Sequence, residues 1–375
     1  MGERPYAVIA GGGTGGHVVP ALAIGRALVA RGHPAESLHF VGSARGIEDR
    51  LVPDAGFTLT LLPGRGIQRR LSFRTTAENT VAIGGLARAV ASATSLLTRL
   101  KPRVVAAVGG YASVPCALAA ASLRIPIVVH EQNAVPGAAN RLTARFARAS
   151  AVSFPGTPLP RAEVTGNPVR PEVLAVDRAT DRDRARDALG LAPDRHVVAV
   201  AGGSLGALRL NQAVLDALPV WAGRVDLAVH HVVGRRDWDL VSSSASVAAG
   251  AALHYQPVDY EDRMPLLLAA ADLFVCRAGG NTVAELAVVG VPSVLVPLPT
   301  APGDHQTANA RVLEDAGAAV LVPDAQMAGA RLVAEVDALL AEPERLATMA
   351  KAAAGLARRD AADRVAALVE RHALP

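Results

Sequence analysis

Glycine-rich turns stand at two places, Gly11-Gly12-Gly13-Thr14-Gly15-Gly16-His17 and Gly202-Gly203-Ser204-Leu205-Gly206. Each directly follows a short apolar run and opens a segment of helical apolar spacing. A strand that turns through glycines into a helix leaves unpaired backbone N–H groups and the positive end of the helix dipole aimed at one spot. That spot favours phosphate or developing negative charge. One such spot lies in each half of the chain, which predicts two domains facing one cleft.

The rest of the pattern agrees with this division. Apolar runs at 6–10, 38–41, 103–108, 127–130 and 151–154 read as strands, each followed by a turn and an amphipathic segment, while the helical spacing of 18–31 stops at Gly32. Thr165-Gly166-Asn167-Pro168-Val169-Arg170-Pro171 interrupts this rhythm. With the charge-dense run 177–187 it reads as an interdomain connection. A second strand series follows at 196–201, 227–233, 273–277, 291–297 and 318–322, and the chain reads as helical from 328 to its end. The fold class expected is α/β, two Rossmann-like β/α/β domains. Residues 1–167 form the first, 168–355 the second, and 356–375 a helix that packs back on the first.

Composition narrows the function. Hydrophobic residues make up 51% and charged residues 19%, and no basic start precedes a long apolar stretch, so no signal peptide is expected and the chain should stay in the cytoplasm. The uncharged window 104–123 has the length of a membrane span, but Gly109, Gly110 and Pro115 break it into strand, turn and buried helix. Cys116 and Cys276 are far apart and suit neither a disulfide framework nor a zinc site. The net charge of +4 invites an anionic partner, yet aromatics at 3% leave no stacking platform, and no nucleic acid is expected.

Gly11, Gly13 and Gly16 fit G-x-G-x-x-G, but the second strand ends in Val41-Gly42-Ser43. Glu48 and Asp49 arrive too late to hold the ribose of a dinucleotide, so no nicotinamide or flavin cofactor is expected. His17 stands at a helix start, where the dipole disfavours the imidazolium. It is the candidate proton acceptor, against the plainer reading of a capping histidine. Gly109-Gly110-Tyr111 and His130-Glu131-Gln132-Asn133 follow strands on the same sheet edge, where open α/β sheets bind ligands; Glu131 and Asn133 also suit turn and cap positions. In the second half, Arg277-Ala278-Gly279-Gly280-Asn281-Thr282 leads from a strand into a helix bearing Glu285, placed to accept from a ribose diol. Asp304-His305-Gln306 and Asn309 suit sugar hydroxyls. Asp181-Arg-Asp183 and Asp237-Trp-Asp239 permit a metal reading but sit among no further ligands, and no metal is expected.

These motifs, in this order over nearly the whole length, resemble the MurG family of B-fold glycosyltransferases. They include Thr165-Gly166-Asn167-Pro168-Val169-Arg170, Thr282-Val-Ala-Glu285-Leu and His305-Gln306-x-x-Asn309-Ala. The resemblance implies inverting transfer of N-acetylglucosamine from UDP-GlcNAc to undecaprenyl-diphosphoryl-N-acetylmuramyl pentapeptide (lipid I), giving lipid II in peptidoglycan synthesis, with no cofactor. It implies a donor site of Thr14, Gly15, Gly16, Asn133, Arg170, Ser204, Gly279, Glu285, Gln306 and Asn309, with backbone near Glu261 on uracil. Thr14, His17, Tyr111, Glu131 and Asn133 would face the acceptor, and His17 would take its proton. The family commonly has Gly-Ala where this chain has Gly279-Gly280. As partners it implies the lipid-linked muramyl acceptor, an anionic membrane surface at the cytoplasmic face, and cell-wall synthesis and division proteins.

A lipid acceptor fits the segment 64–101, where Arg65, Arg69, Arg70, Arg74, Arg88 and Arg99 mix with Ile67, Leu71, Phe73, Ile83, Leu86, Leu96 and Leu97. Such a surface suits an anionic leaflet; an amphipathic helix packed on its own sheet explains it equally well. Two other functions stay open on sequence alone. One is a B-fold glycosyltransferase acting on another lipid or a natural product, and the other a non-catalytic nucleotide-sugar-binding scaffold.

Overall fold

A computed structural model describes residues 4–44, 46–63, 73–203, 206–244 and 252–375. The chain forms two compact units, residues 1–170 with 358–375, and residues 171–357. The first unit carries strands β1 (Ala7–Gly11), β2 (Leu38–Ser43), β3 (Thr58–Leu62), β4 (Val104–Gly109), β5 (Ile127–Glu131), β6 (Ala149–Val152) and β7 (Ala162–Val164). Its helices are α1 (Gly15–Ala30), α2 (Glu48–Asp54), α3 (Phe73–Leu100), α4 (Ser113–Ser122) and α5 (Ala138–Thr143). The second carries α6 (Pro171–Leu174), α7 (Arg178–Leu189), β8 (His196–Ala201), α8 (Leu208–Trp221), β9 (Leu227–Val232), α9 (Trp238–Ser244), β10 (His254–Val258), α10 (Met264–Ala270), β11 (Leu273–Cys276), α11 (Gly280–Val289), β12 (Ser293–Leu295), α12 (His305–Asp315), β13 (Ala319–Leu321), α13 (Gly329–Leu340) and α14 (Pro343–Gly355). The last helix, α15 (Ala361–His372), belongs to the first unit.

Both sheets are parallel throughout, in the orders β3-β2-β1-β4-β5-β6-β7 and β10-β9-β8-β11-β12-β13. Parallel strands bury both faces, and the first unit shows this residue by residue. Ala7 and Ile9 of β1 face one core with Phe40, Ala106 and helix α1. Val8 and Ala10 face another with Val105, Ala107 and the helices α3 and α4. α15 adds Val365, Leu368 and Val369 to the first of these cores. It is tied there by Arg31 to Asp363 and Glu370 and by Arg371 to Glu163.

Three strands, β3, β7 and β10, were not expected from the sequence. The run 177–187, expected as part of a connection, is α7 of the second unit. Asp177 caps it by accepting from Ala179 N at 3.0 Å, and Gly190, at φ 71°, ends it. Arg186 is only 1% exposed within it, bound to Asp272 at 2.7 Å and to the carbonyls of Pro193 and Arg195. Cys116 and Cys276 are buried free thiols, and burial pushes the Cys116 thiol up to about 12. Among the described residues no helix is long and apolar enough to cross a membrane. In the basic and apolar segment, Leu96 and Leu97 are core residues and not part of a surface, whereas Arg88 and Arg99 are exposed. Arg65, Ile67, Arg69, Arg70 and Leu71 lie outside the described residues.

Candidate active site

In the first unit β1, β4 and β5 are neighbours, so the loops after them gather at one carboxyl edge. The close approach of these loops demands glycine at two positions. Gly109, at φ 96°, lies under the His17 ring, where a Cβ would come within 2.8 Å of Cδ2 and 3.0 Å of Nε2. Gly110, at φ 79°, lies against the carbonyl of Gly12. His17 Nδ1 is 3.3 Å from the hydroxyl of Thr14, whose carbonyl accepts from the backbone N–H of both His17 and Val18 at 3.1 Å. Thr14 and Gly16 are exposed, while Gly15 and His17 are half-buried.

The loop after β5 is organised from within. Glu131, 1% exposed, accepts from Asn133 N, Asn133 Nδ2, Gly137 N and Asn140 Nδ2 at 2.9–3.1 Å. With its oxygens so occupied it shapes the loop instead of facing an acceptor directly, and Asn133 is the half-exposed residue it presents. Gln132 donates to the Val108 carbonyl and to His130 Nδ1, so the proton of His130 sits on Nε2. Burial, aided by the nearby His17, holds that imidazole neutral down to about pH 4, against the opposing Gly166 carbonyl. The Tyr111 hydroxyl donates to the Pro63 carbonyl at 3.3 Å, and burial raises its pKa. Arg170 is half-buried at the end of the unit.

In the second unit the chain runs outward from β8 to β9 and β10 on one side and continues through β11 to β13 on the other. β8 and β11 are therefore the switch point of an open α/β sheet, where ligands bind. Both glycine turns of this unit follow those two strands. Gly203, at φ 92°, and Gly206, at φ 84°, shape the first; Ser204 lies outside the described residues. Gly279, in extended backbone, is the residue before the first turn of α11, at the positive end of that helix. Glu285 is half-buried on α11 and near enough to Cys276 to help raise that thiol's pKa, after burial.

Two residues expected on a sugar also hold the loop after β11. Gln306 Oε1 accepts from Ala278 N at 3.2 Å and Leu298 N at 2.9 Å, and Asn309, 0% exposed, donates to the Ala278 carbonyl at 3.0 Å. Asn309 therefore supports the Gly279 turn from beneath, and only Gln306 stays half-exposed. Glu261 is buried, with Oε2 3.1 Å from His230 Nε2 and Oε1 accepting from Arg263 N, which fixes the backbone of its segment at the carboxyl end of β10. Of the two acidic pairs that permit a metal reading, Asp181 binds Arg184 and the backbone N–H of Asp177, and Asp237 binds Arg236 and Asn211.

The sequence reading also missed residues. Glu48, set aside as arriving too late, does reach the first glycine turn, where Oε2 accepts from Gly13 N at 2.9 Å. Asn140, Asn211, His230 and His231 are buried polar residues beneath the loops. A histidine or asparagine inside an apolar run was the only signal for them.

The family model of the glycosyltransferase family 28 N-terminal domain matches residues 7–152, and that of the glycosyltransferase family 28 C-terminal domain matches residues 197–365. The chain belongs to glycosyltransferase family 28. Within this family it is 45% identical over 365 residues, 96% of each chain, to the UDP-N-acetylglucosamine–N-acetylmuramyl-(pentapeptide) pyrophosphoryl-undecaprenol N-acetylglucosamine transferase of Nocardioides sp.. It is 43% identical, over 98% of each chain, to the enzyme of the same name from Acidothermus cellulolyticus. The crystal structure of MurG from Acinetobacter baumannii superposes with a TM-score of 0.75 at 31% identity, covering 98% of this chain and 99% of that one. As a family 28 glycosyltransferase the protein is a hexosyltransferase with two Rossmann-like parallel-sheet domains.

Proposed function

We propose that this glycosyltransferase moves N-acetylglucosamine from UDP-GlcNAc onto undecaprenyl-diphosphoryl-N-acetylmuramyl pentapeptide, making lipid II for peptidoglycan. The observation that carries this is full-length similarity to enzymes named for that transfer, together with glycine turns at the carboxyl edge of both sheets. The second unit takes the donor: the turns at Ser204 and Gly279 receive the diphosphate, Glu285 the ribose diol, Gln306 the sugar and the backbone at Glu261 the uracil. Thr14, His17, Tyr111, Asn133 and Arg170 serve the acceptor and the reacting centre, with Gly15 and Gly16 supplying backbone N–H groups.

The acceptor hydroxyl attacks the anomeric carbon, the bond from that carbon to the diphosphate oxygen breaks, and the sugar centre inverts. UDP leaves with the electron pair, its growing charge offset by the helix starts, which makes a metal unnecessary. His17 Nδ1 lies 3.3 Å from the Thr14 hydroxyl, and in the tautomer that donates this bond from Nδ1–H, Nε2 is the basic nitrogen that takes the acceptor's hydroxyl proton. The acceptor's lipid places the enzyme peripherally at the cytoplasmic face of the membrane, beside cell-wall synthesis and division proteins.

A UDP-release assay with a lipid-linked muramyl acceptor tests the reading. UDP should appear only with acceptor present, and UDP-GlcNAc should outcompete other UDP sugars. Release that ignores the acceptor, or preference for a different sugar, would refute it.

A further inference from the structure

Glu48 opens α2 and its side chain is 1% exposed. Oε1 accepts from Ser43 N at 2.7 Å and Ser43 Oγ at 3.0 Å, and Oε2 accepts from Gly13 N at 2.9 Å. Gly12, Gly42 and Gly46 close around it, and a Cβ at any of the three would overlap the carboxylate or its stem. A carboxylate is costly to bury unless donors surround it, and here one backbone N–H comes from β2, one from the Gly11–Gly16 turn, and a hydroxyl completes the set. The N–H of Gly13, which an open phosphate cradle would offer to a ligand, is spent on an anion of the chain itself.

That bond has a direct route to His17. Gly13, at φ 93°, leads into Thr14, whose carbonyl and hydroxyl hold the backbone and Nδ1 of His17. The preceding Gly12 carbonyl packs against Gly110, and the His17 ring against Gly109. We infer that Glu48 is a positioning residue for the transfer reaction, a built-in anion that fixes the Gly11–Gly16 turn in one conformation and thereby aims His17. The inference rests on the proposed role of His17 as proton acceptor.

Glu48→Ala, assayed with and without sodium formate, tests this, alongside Glu48→Gln and His17→Ala. Loss of a buried charge-assisted contact should lower kcat by at least about tenfold. UDP affinity, a property of the second unit, should stay within about twofold, and hydrogen exchange at the Gly13 amide should quicken. Formate fits the emptied carboxylate space and should restore several-fold of the lost turnover in Glu48→Ala, whereas sodium chloride at equal ionic strength should not. Glu48→Gln keeps the shape but sets an amide donor against Ser43 N or Gly13 N, so it should lose turnover and gain nothing from formate, even if the alanine variant fails to fold. Wild-type turnover in both Glu48 variants while His17→Ala is inactive overturns the inference alone. So does a loss that formate leaves untouched, or one matched by weaker UDP binding. Wild-type turnover in His17→Ala removes the reading beneath it.

Discussion

Glu48, bound to the first glycine turn, and Glu131, on the loop after β5, are both 1% exposed and both accept from backbone N–H donors, so neither is a free acid at the surface of the site. In the proposed mechanism the proton-accepting task falls to His17, whose ring rests on a position that only glycine can occupy. His17→Ala should lower turnover by about 10²–10⁴, the usual worth of a general base, with UDP affinity unchanged; UDP release and calorimetric titration measure the two separately. Gly109→Ala combines a strained φ of 96° with a Cβ driven into that imidazole. It should lower turnover while the melting temperature falls by only a few degrees, and a loss confined to stability would count against the close packing argued for this ring.

Elements of the second unit are held by buried charge more than by capping. Asp272, just before β11, accepts from Arg186 and Arg182 of α7 and from Val197 N of β8, and these bonds hold its carboxyl below the usual range despite burial. Asp272→Ala would strand Arg186 in the core. A loss of about 3–5 kcal/mol is expected, measurable by urea unfolding, because removing one partner leaves an uncompensated buried charge. Gln306→Ala acts at smaller scale, freeing Ala278 N and Leu298 N and loosening the Gly279 turn. The expected cost is about 1–3 kcal/mol of UDP affinity by titration, and unchanged affinity would remove that turn from the donor site.

At the scale of the whole molecule, each unit carries a histidine buried in its neutral form. Burial lowers His130 to about 4 in the first unit and His231 to about 3 in the second, the latter fixed between the Tyr255 hydroxyl and Asn211 Oδ1. The unfolded chain binds protons at these residues already below about pH 6.5, so unfolding takes up protons and stability must fall with acid. Scanning calorimetry should show the melting temperature dropping from pH 6.5 toward 4. His231→Gln should flatten the fall for the second unit alone. Membrane association belongs to this scale too: flotation with liposomes should rise with anionic lipid at low salt, and indifference to lipid charge would tell against the peripheral placement.

The fold class and the location of both glycine turns were legible in the sequence because they are local. Apolar runs of strand length, glycines where φ must be positive, and helical spacing right after them are decided within a dozen residues. Strands β3 and β7 escaped because edge strands are partly exposed and lack a continuous apolar run, and β10 because it contains Pro257, tolerable only at an edge. What sequence could not decide was how each polar residue spends its hydrogen bonds. Asn309 looks as available as Gln306 until its amide is found beneath Ala278. Glu48 looks misplaced until the sheet brings Gly13 from 35 residues away to its carboxylate. Residue type and spacing fix which groups a chain owns, but burial and long-range pairing, which exist only once the sheets close, determine which of those groups are left for a ligand.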